Sequence, residues 1–138
     1  MNELKSLSDK ELLIAIERTS DKEHEATLEF LIYLIEVEDR RLYAEEGYSS
    51  MFSFCTQRLR YSEGAAHRRI QGARALRDFP LTRQLLERKE INLCTLSVVF
   101  GSLTEENSSE LLRAICNKSR REVEALVSSY KPGASSPK

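Results

Sequence analysis

The sequence has no tryptophan, only five glycines and three prolines, and no long apolar run. So little Gly and Pro excludes a loop-rich, disordered or collagen-like chain. The longest stretch without a charge, Ile91 to Thr104, is too short to span a bilayer and is interrupted by Asn92, Thr95, Ser97, Gly101 and Ser102. The N-terminus, Met-Asn-Glu-Leu-Lys-Ser, lacks the apolar core of a signal peptide, so no membrane partner is expected and the expected location is cytoplasmic. Three cysteines, Cys55, Cys94 and Cys116, stand far apart and form no CxxC or CxxH spacing. An odd count in a cytoplasmic chain reads as reduced, buried thiols that behave as small hydrophobes. The only histidines, His24 and His67, are widely separated with no cysteine near, so neither a metal site nor a cofactor is expected. No glycine-rich phosphate loop and no Ser-His pairing is present, and no small-molecule substrate is evident.

What remains is a chain of 138 residues, 41% hydrophobic and 31% charged, of a size for one domain with a real core. Its start signals are helical. Ser8-Asp-Lys-Glu11, Ser20-Asp-Lys-Glu23 and Ser119-Arg-Arg-Glu122 fit the capping box, in which the Ser hydroxyl and the Glu carboxylate satisfy each other's backbone N–H groups. Thr104-Glu-Glu-Asn107 is a weaker variant. Apolar spacing predicts helices at about 9–18, 21–46, 50–59, 63–78, 81–89, 93–101, 105–117 and 120–130. Gly47 is the expected stop of the second and Pro80 the start of the fifth. Leu96 to Phe100 leans towards β but its neighbours favour a buried helix. The fold class is therefore all-α, a compact bundle of about eight helices. Residues 1–50 form acidic helices packing on the core, residues 51–130 hold the functional region, and 131–138 form a flexible tail.

Charge is not spread evenly. Residues 1–50 carry 6 basic and 13 acidic side chains, residues 51–100 carry 9 and 4, and the remainder 6 and 5. A near-neutral total thus hides an acidic first part and a basic middle. Arg58, Arg60, Arg68, Arg69, Arg74 and Arg77 crowd into that middle. The planar guanidinium suits phosphates and guanine edges. A solvated face paired with the acidic half is the competing explanation.

The local pattern around these arginines has helix-turn-helix form. A first helix ends at Leu59, a turn of Arg60-Tyr61-Ser62 follows, and Ser62 caps a second helix with Ala66, Ile70 and Ala73 inward. Ala65 and Ala66 permit a close crossing, and Tyr61 sits where a turn residue plugs into the core. Such a second helix presents Ser62, Glu63, Gly64, His67, Arg68 and Gln71 to base edges of double-stranded DNA, Gln71 suiting adenine and Arg68 guanine. Arg58, Arg60, Arg69, Arg74 and Arg77 are then placed for phosphates. Three residues depart from the usual motif. Arg60 stands where Gly is usual, Thr56 where Ala is typical, and Arg69 near the inner face, from which it must snorkel outward.

Ala73-Arg-Ala-Leu-Arg-Asp-Phe-Pro80 and Leu85-Leu-Glu-Arg-Lys-Glu-Ile-Asn92 resemble the DNA-binding domain of the ParB/KorB partition proteins. Arg41-Leu-Tyr-Ala-Glu-Glu-Gly-Tyr-Ser-Ser50, Tyr61 to Ile70, Leu103 to Asn107 and Lys118 to Glu124 resemble the helical N-terminal region of bacterial HNH-endonuclease-type proteins, where it precedes a His-Asn-His metal nuclease. The chain ends before such a module, so this resemblance implies a DNA-targeting part and no enzyme. The acidic residues at 36–46 read as the wet face of a helix rather than an acid–base pair, and Tyr33, Tyr43 and Tyr48 as core or interface. The rival class is a protein-interaction or dimerisation module, in which the long acidic helix docks a partner through its apolar stripe, Leu31 and Ile35 included. A homodimer also suits a reader of paired half-sites.

Overall fold

A computed structural model describes residues 2–130, and the 131–138 tail lies outside them. The chain is all-α: α1 (Asn2–Lys5), α2 (Asp9–Asp39), α3 (Leu42–Glu45), α4 (Met51–Ser53), α5 (Glu63–Asp78), α6 (Leu81–Glu87), α7 (Leu93–Val99), α8 (Ser108–Ala114) and α9 (Arg120–Tyr130). A π-helical segment (Phe54–Arg58) extends α4, and a 3-10 turn (Phe100–Ser102) extends α7. No strand occurs among the described residues.

The capping boxes at Ser8 and Ser119 form as the spacing predicts. The same reciprocal bonds join Thr104 and Asn107 one turn ahead of α8. The expected break at Ser20 does not occur: α2 runs unbroken for 31 residues, about 46 Å. Between Asp9 and Asp39 there is no Gly or Pro to force an end. A capping box contributes only about 1 kcal/mol, less than the backbone hydrogen bonds that a break would forfeit. Beside Ser20, the Thr19 hydroxyl bonds within the helix, donating to the Ala15 carbonyl at 2.9 Å. The helix ends at Arg40 instead of Gly47, because Arg41 takes a left-handed backbone (φ 55°). Gly47 (φ 93°) follows the short α3.

The core has two connected parts. One gathers Leu31 and Leu34 of α2 with Met51, Phe54 and Cys55, and with Ala66, Ile70, Ala73 and Leu76 of α5. The other gathers Ala75 of α5 with Leu85, Ile91, Leu96, Val99, Leu103, Leu111, Leu112, Ile115 and Val123. The helix α5 contributes to both, and its small residues make this possible. A Cβ on Gly72 would lie 2.7 Å from Leu93 Cδ2 and 3.5 Å from Leu31 Cδ1, so this glycine lies where α2 and α7 both close on α5. Thr82 is buried yet satisfied, its hydroxyl donating to the Ala75 carbonyl at 3.2 Å.

Only the second half of α2 joins this body. No residue of α2 before Leu31 is buried. Leu12, Leu13, Ile14 and Ile16 are 47, 60, 45 and 58% exposed, and Leu4 of α1 is 51% exposed.

Denaturant unfolding tests the central contact. Leu31→Ala should cost about 2–5 kcal/mol as a cavity in the first cluster. Gly72→Val should cost about 1–3 kcal/mol by overpacking against Leu93 and Leu31. Either variant unfolding like the wild type would show that the α2–α5–α7 contact does not carry the fold.

Candidate nucleic-acid interface

The basic middle of the chain lies on the π-helical segment, the turn after it and α5. Met51, Phe54 and Cys55, three and four residues apart, all point inward, and the Leu59 N–H donates to the Phe54 carbonyl in the π register. Thr56 has a local role here: its hydroxyl donates to the Phe52 carbonyl at 3.0 Å. The segment closes in a Schellman-type end, the Tyr61 N–H reaching back to the Cys55 carbonyl at 3.1 Å, with Arg60 left-handed at φ 67°. The turn expected at 60–62 therefore exists, and Arg60 bears the strain usually spared by glycine. Tyr61 packs edge-on against Phe30 of α2, ring centroids 5.5 Å apart, plugging the turn into the first cluster. Ser62 caps α5, its hydroxyl accepting from the Ala65 N–H at 3.2 Å.

Ala66, Ile70 and Ala73 face inward as their spacing predicts. Gly72, Ala75 and Leu76 are buried too, so most of the circumference of α5 is enclosed. What stays open is a strip over its first turns, together with Arg77 and Asp78 in its last turn. Ser62, Glu63, Gly64 and His67 are exposed, and Arg68 and Gln71 are half-buried beside them. The structure thus brings together all six residues read as base-facing. One Arg68 guanidinium nitrogen would lie 3.3 Å from a Cβ at position 64, so Gly64 leaves room for it.

The five arginines read as phosphate-facing divide differently. Glu38, near the end of α2, bridges two of them. Arg74 donates to it through Nε (3.3 and 3.2 Å) and Nη2 (2.7 Å), and Arg77 through Nη1 at 3.3 Å. Arg77 also reaches Asp39 at 3.4 Å and Asp78 at 2.9 Å. The Asp78 carboxylate raises the Arg77 pKa and fixes its charge. Acidic residues in the last turn of α2 oppose its dipole, and these arginines offset that opposition. Arg58 donates to Glu46 at 2.7 Å. Arg69 snorkels as expected: its guanidinium lies 4.5 Å from the Tyr61 ring centroid, over its face, and donates to the Ala65 carbonyl. Arg60 is exposed and, like Arg68, has no carboxylate partner among the described residues. The explanation by pairing with the acidic half therefore holds for Arg58, Arg74 and Arg77 and not for Arg60 or Arg68. Spacing had no means of finding Glu38 or Glu46 as partners, because both contacts are tertiary.

Leu31 belongs to the core and Ile35 packs against it, so neither is available to dock a partner. Tyr43 and Tyr48 also pack on that core, whereas Tyr33 is exposed. All three cysteines are free, and only Cys55 is fully buried. Burial pushes its thiol up to about 11, with Arg69 opposing and Glu38 adding to the shift. Burial also raises the Cys116 thiol, which donates to the Glu90 carboxylate. Among the described residues no three His, Cys, Asp or Glu side chains converge as a metal site, and no helix is long and apolar enough to cross a membrane.

Comparison of the chain with protein-family models, with curated proteins and with solved structures gives no match.

Two measurements test these environments. Glu38→Ala should cost about 1–2 kcal/mol in denaturant unfolding, since it strands two half-buried guanidiniums. Thiol labelling of the native protein should modify Cys94 and Cys116 well before Cys55. Because the folded-state pKa of Cys55 lies above its unfolded value, its contribution to stability is complete below pH 9 and is lost as pH rises towards 11. Cys55→Ala should remove that alkaline loss, and an unchanged pH profile would show that the Cys55 thiol is not its source.

Proposed function

We propose that the chain binds double-stranded DNA, with the segment 51–58 and α5 acting as a helix-turn-helix and the first turns of α5 entering the major groove. One observation carries this reading. The strip over the first turns of α5 presents Gly64, His67, Arg68 and Gln71 next to exposed Arg60, and neither Arg60 nor Arg68 has a carboxylate partner among the described residues. A helix packed on its other faces is held in one orientation, which supports a reading of base edges by these side chains. Gln71 and Arg68 suit adenine and guanine edges. Arg60, projecting from the turn, suits a phosphate, and Arg58 can exchange its exposed Glu46 for another. Arg74 and Arg77 stay with α2. Glu63 serves the positive end of α5.

This footprint is narrower than the arginine count suggests. Two or three phosphate contacts give a salt slope of about −2 to −3, at about −0.9 per phosphate. The acidic α2 opposes a second approach to the backbone. The resemblance to the helical region of HNH-endonuclease-type proteins agrees with a targeting role, in which cleavage belongs to a separate metal module.

The partner-docking alternative keeps one specific support, the exposed aliphatic side chains of α2. It predicts no salt-sensitive duplex binding.

Fluorescence anisotropy with random duplex at low ionic strength decides between them. Arg68→Ala and Gln71→Ala should each weaken the preferred sequence by about 1–3 kcal/mol and relax its selection. Arg60→Gly should relieve the left-handed strain, leave thermal stability equal or higher, and flatten the salt slope by about 1. No duplex binding by the wild type at low salt would refute the proposal.

A further inference from the structure

The face of α2 that enters the core does not stop where the core stops. Leu34, Leu31 and Thr27 continue at helical spacing through His24 and Ser20 to Ile16 and Leu13. The first two of these are buried, and the last two are more than half exposed. This face is thus polar at Thr27, His24 and Ser20 and apolar again at Ile16 and Leu13, beyond the body, where no other element of the described chain covers it. Leu12 flanks Ile16 and widens this patch, and Ile14 is exposed on another side of the helix, so four large aliphatics in five residues face water. Isolated exposed aliphatics are ordinary, but a contiguous patch on a projecting helix marks an interaction surface.

The flanking charges point to what covers it. Lys10 and Glu17 lie seven residues apart on one edge of the stripe, with Leu13 and Ile16 beside them. In an antiparallel pair of identical helices, residues on the same flank face each other. A two-fold axis passing between Ile14 and Ala15 sets Leu13 against Ile16 of the second copy, and does so twice. The same operation brings Lys10 beside Glu17 of the second copy, also twice. A parallel pair would instead bring together the acidic stretch of each α2, which holds Asp21, Glu23, Glu25 and Glu29.

That register has a second consequence. It sets Ser8 of one copy opposite Asp21 of the other, so the first turn of each chain arrives beside the next part of α2. A groove of about 1140 Å³ opens there, between α2, α6 and the start of α7. Leu28, Ile32, Leu86, Ile91, Leu93 and Cys94 give it an apolar floor. Lys89 pairs with Asp21 at its edge, holding the Asp21 carboxyl below its usual range. Leu4, the other exposed large aliphatic at this end of the chain, is the side chain that the register delivers to it.

We infer that two copies of the chain form an isologous dimer through the antiparallel N-terminal halves of α2, with Leu13 and Ile16 in the seam and Leu4 of each copy in the groove of the other. A closed two-fold contact of this kind uses one patch on both subunits and leaves the exposed strip of α5 outside the seam.

Sedimentation velocity on the full chain over a range of concentrations tests this, without any DNA. The wild type should sediment as a concentration-dependent dimer. Leu13→Glu with Ile16→Glu should raise the dissociation constant at least about tenfold. Its helical circular dichroism and melting should match those of the wild-type monomer, because both residues are exposed in a single copy. Lys10→Glu should weaken the dimer, and adding Glu17→Lys should restore it. A wild type that stays monomeric overturns the inference and leaves the stripe to a foreign protein or a membrane surface. A dimer that survives the double Glu substitution overturns it as well, and failure of the charge exchange to rescue overturns the antiparallel register.

Discussion

Everything in this molecule depends on how closely two helices can approach α5. Gly72 has no side chain where Leu93 and Leu31 meet it, and Ala66, Ala73 and Ala75 offer only methyl groups along the same helix. A helix with so little bulk can be enclosed by neighbours on several sides at once. α5 thereby joins the cluster built on α2 to the cluster built on α6 through α9. The same enclosure decides what α5 can present. Once its other faces are covered, the strip from Ser62 to Gln71 stays open, and the exposed Arg77 and Asp78 at the far end are held in ion pairs.

Electrostatics follows from that geometry. Packing α2 along α5 brings the carboxylates at the end of one helix to the arginines at the end of the other. Glu38 joins Arg74 and Arg77, and Glu46 takes Arg58. Three arginines of the basic middle are thus neutralised by the acidic first part of the chain, Arg74 and Arg77 at the far end of α5 and Arg58 just before the turn. Arg60 in the turn and Arg68 on α5 have no carboxylate partner among the described residues and keep their charge available. The polarity of the surface is set by where the helices cross, not by the number of arginines.

Helix stops were the least legible feature. The chain has few glycines, and among the described residues it ends helical segments on left-handed Arg41, Arg60, Lys89 and Asn117. None of these is a glycine, so a reader looking for glycine carries the second helix on to Gly47. In the other direction, the capping pattern at Ser20 promised a start inside a helix that simply continued, because the backbone bonds of an uninterrupted helix outweigh one cap. Where cap and hydrophobic spacing agreed, the sequence located both ends of α5 and the start of α9. The six residues read as base-facing came from that agreement, since the inward positions Ala66, Ile70 and Ala73 fix which side of α5 is left over.

By itself, then, the sequence determined the all-α class, the boundaries and inner face of α5, the turn before it and the left-handed strain at Arg60. These are local matters of period, cap and backbone conformation, and they need no knowledge of distant residues. Tertiary structure decided which arginines are neutralised, which apolar positions of α2 are core, and which lie beyond the body in solvent. Leu31 and Leu13 lie on one face of one helix and read alike in sequence. Only the extent of the body beneath them makes the first a core residue and leaves the second uncovered.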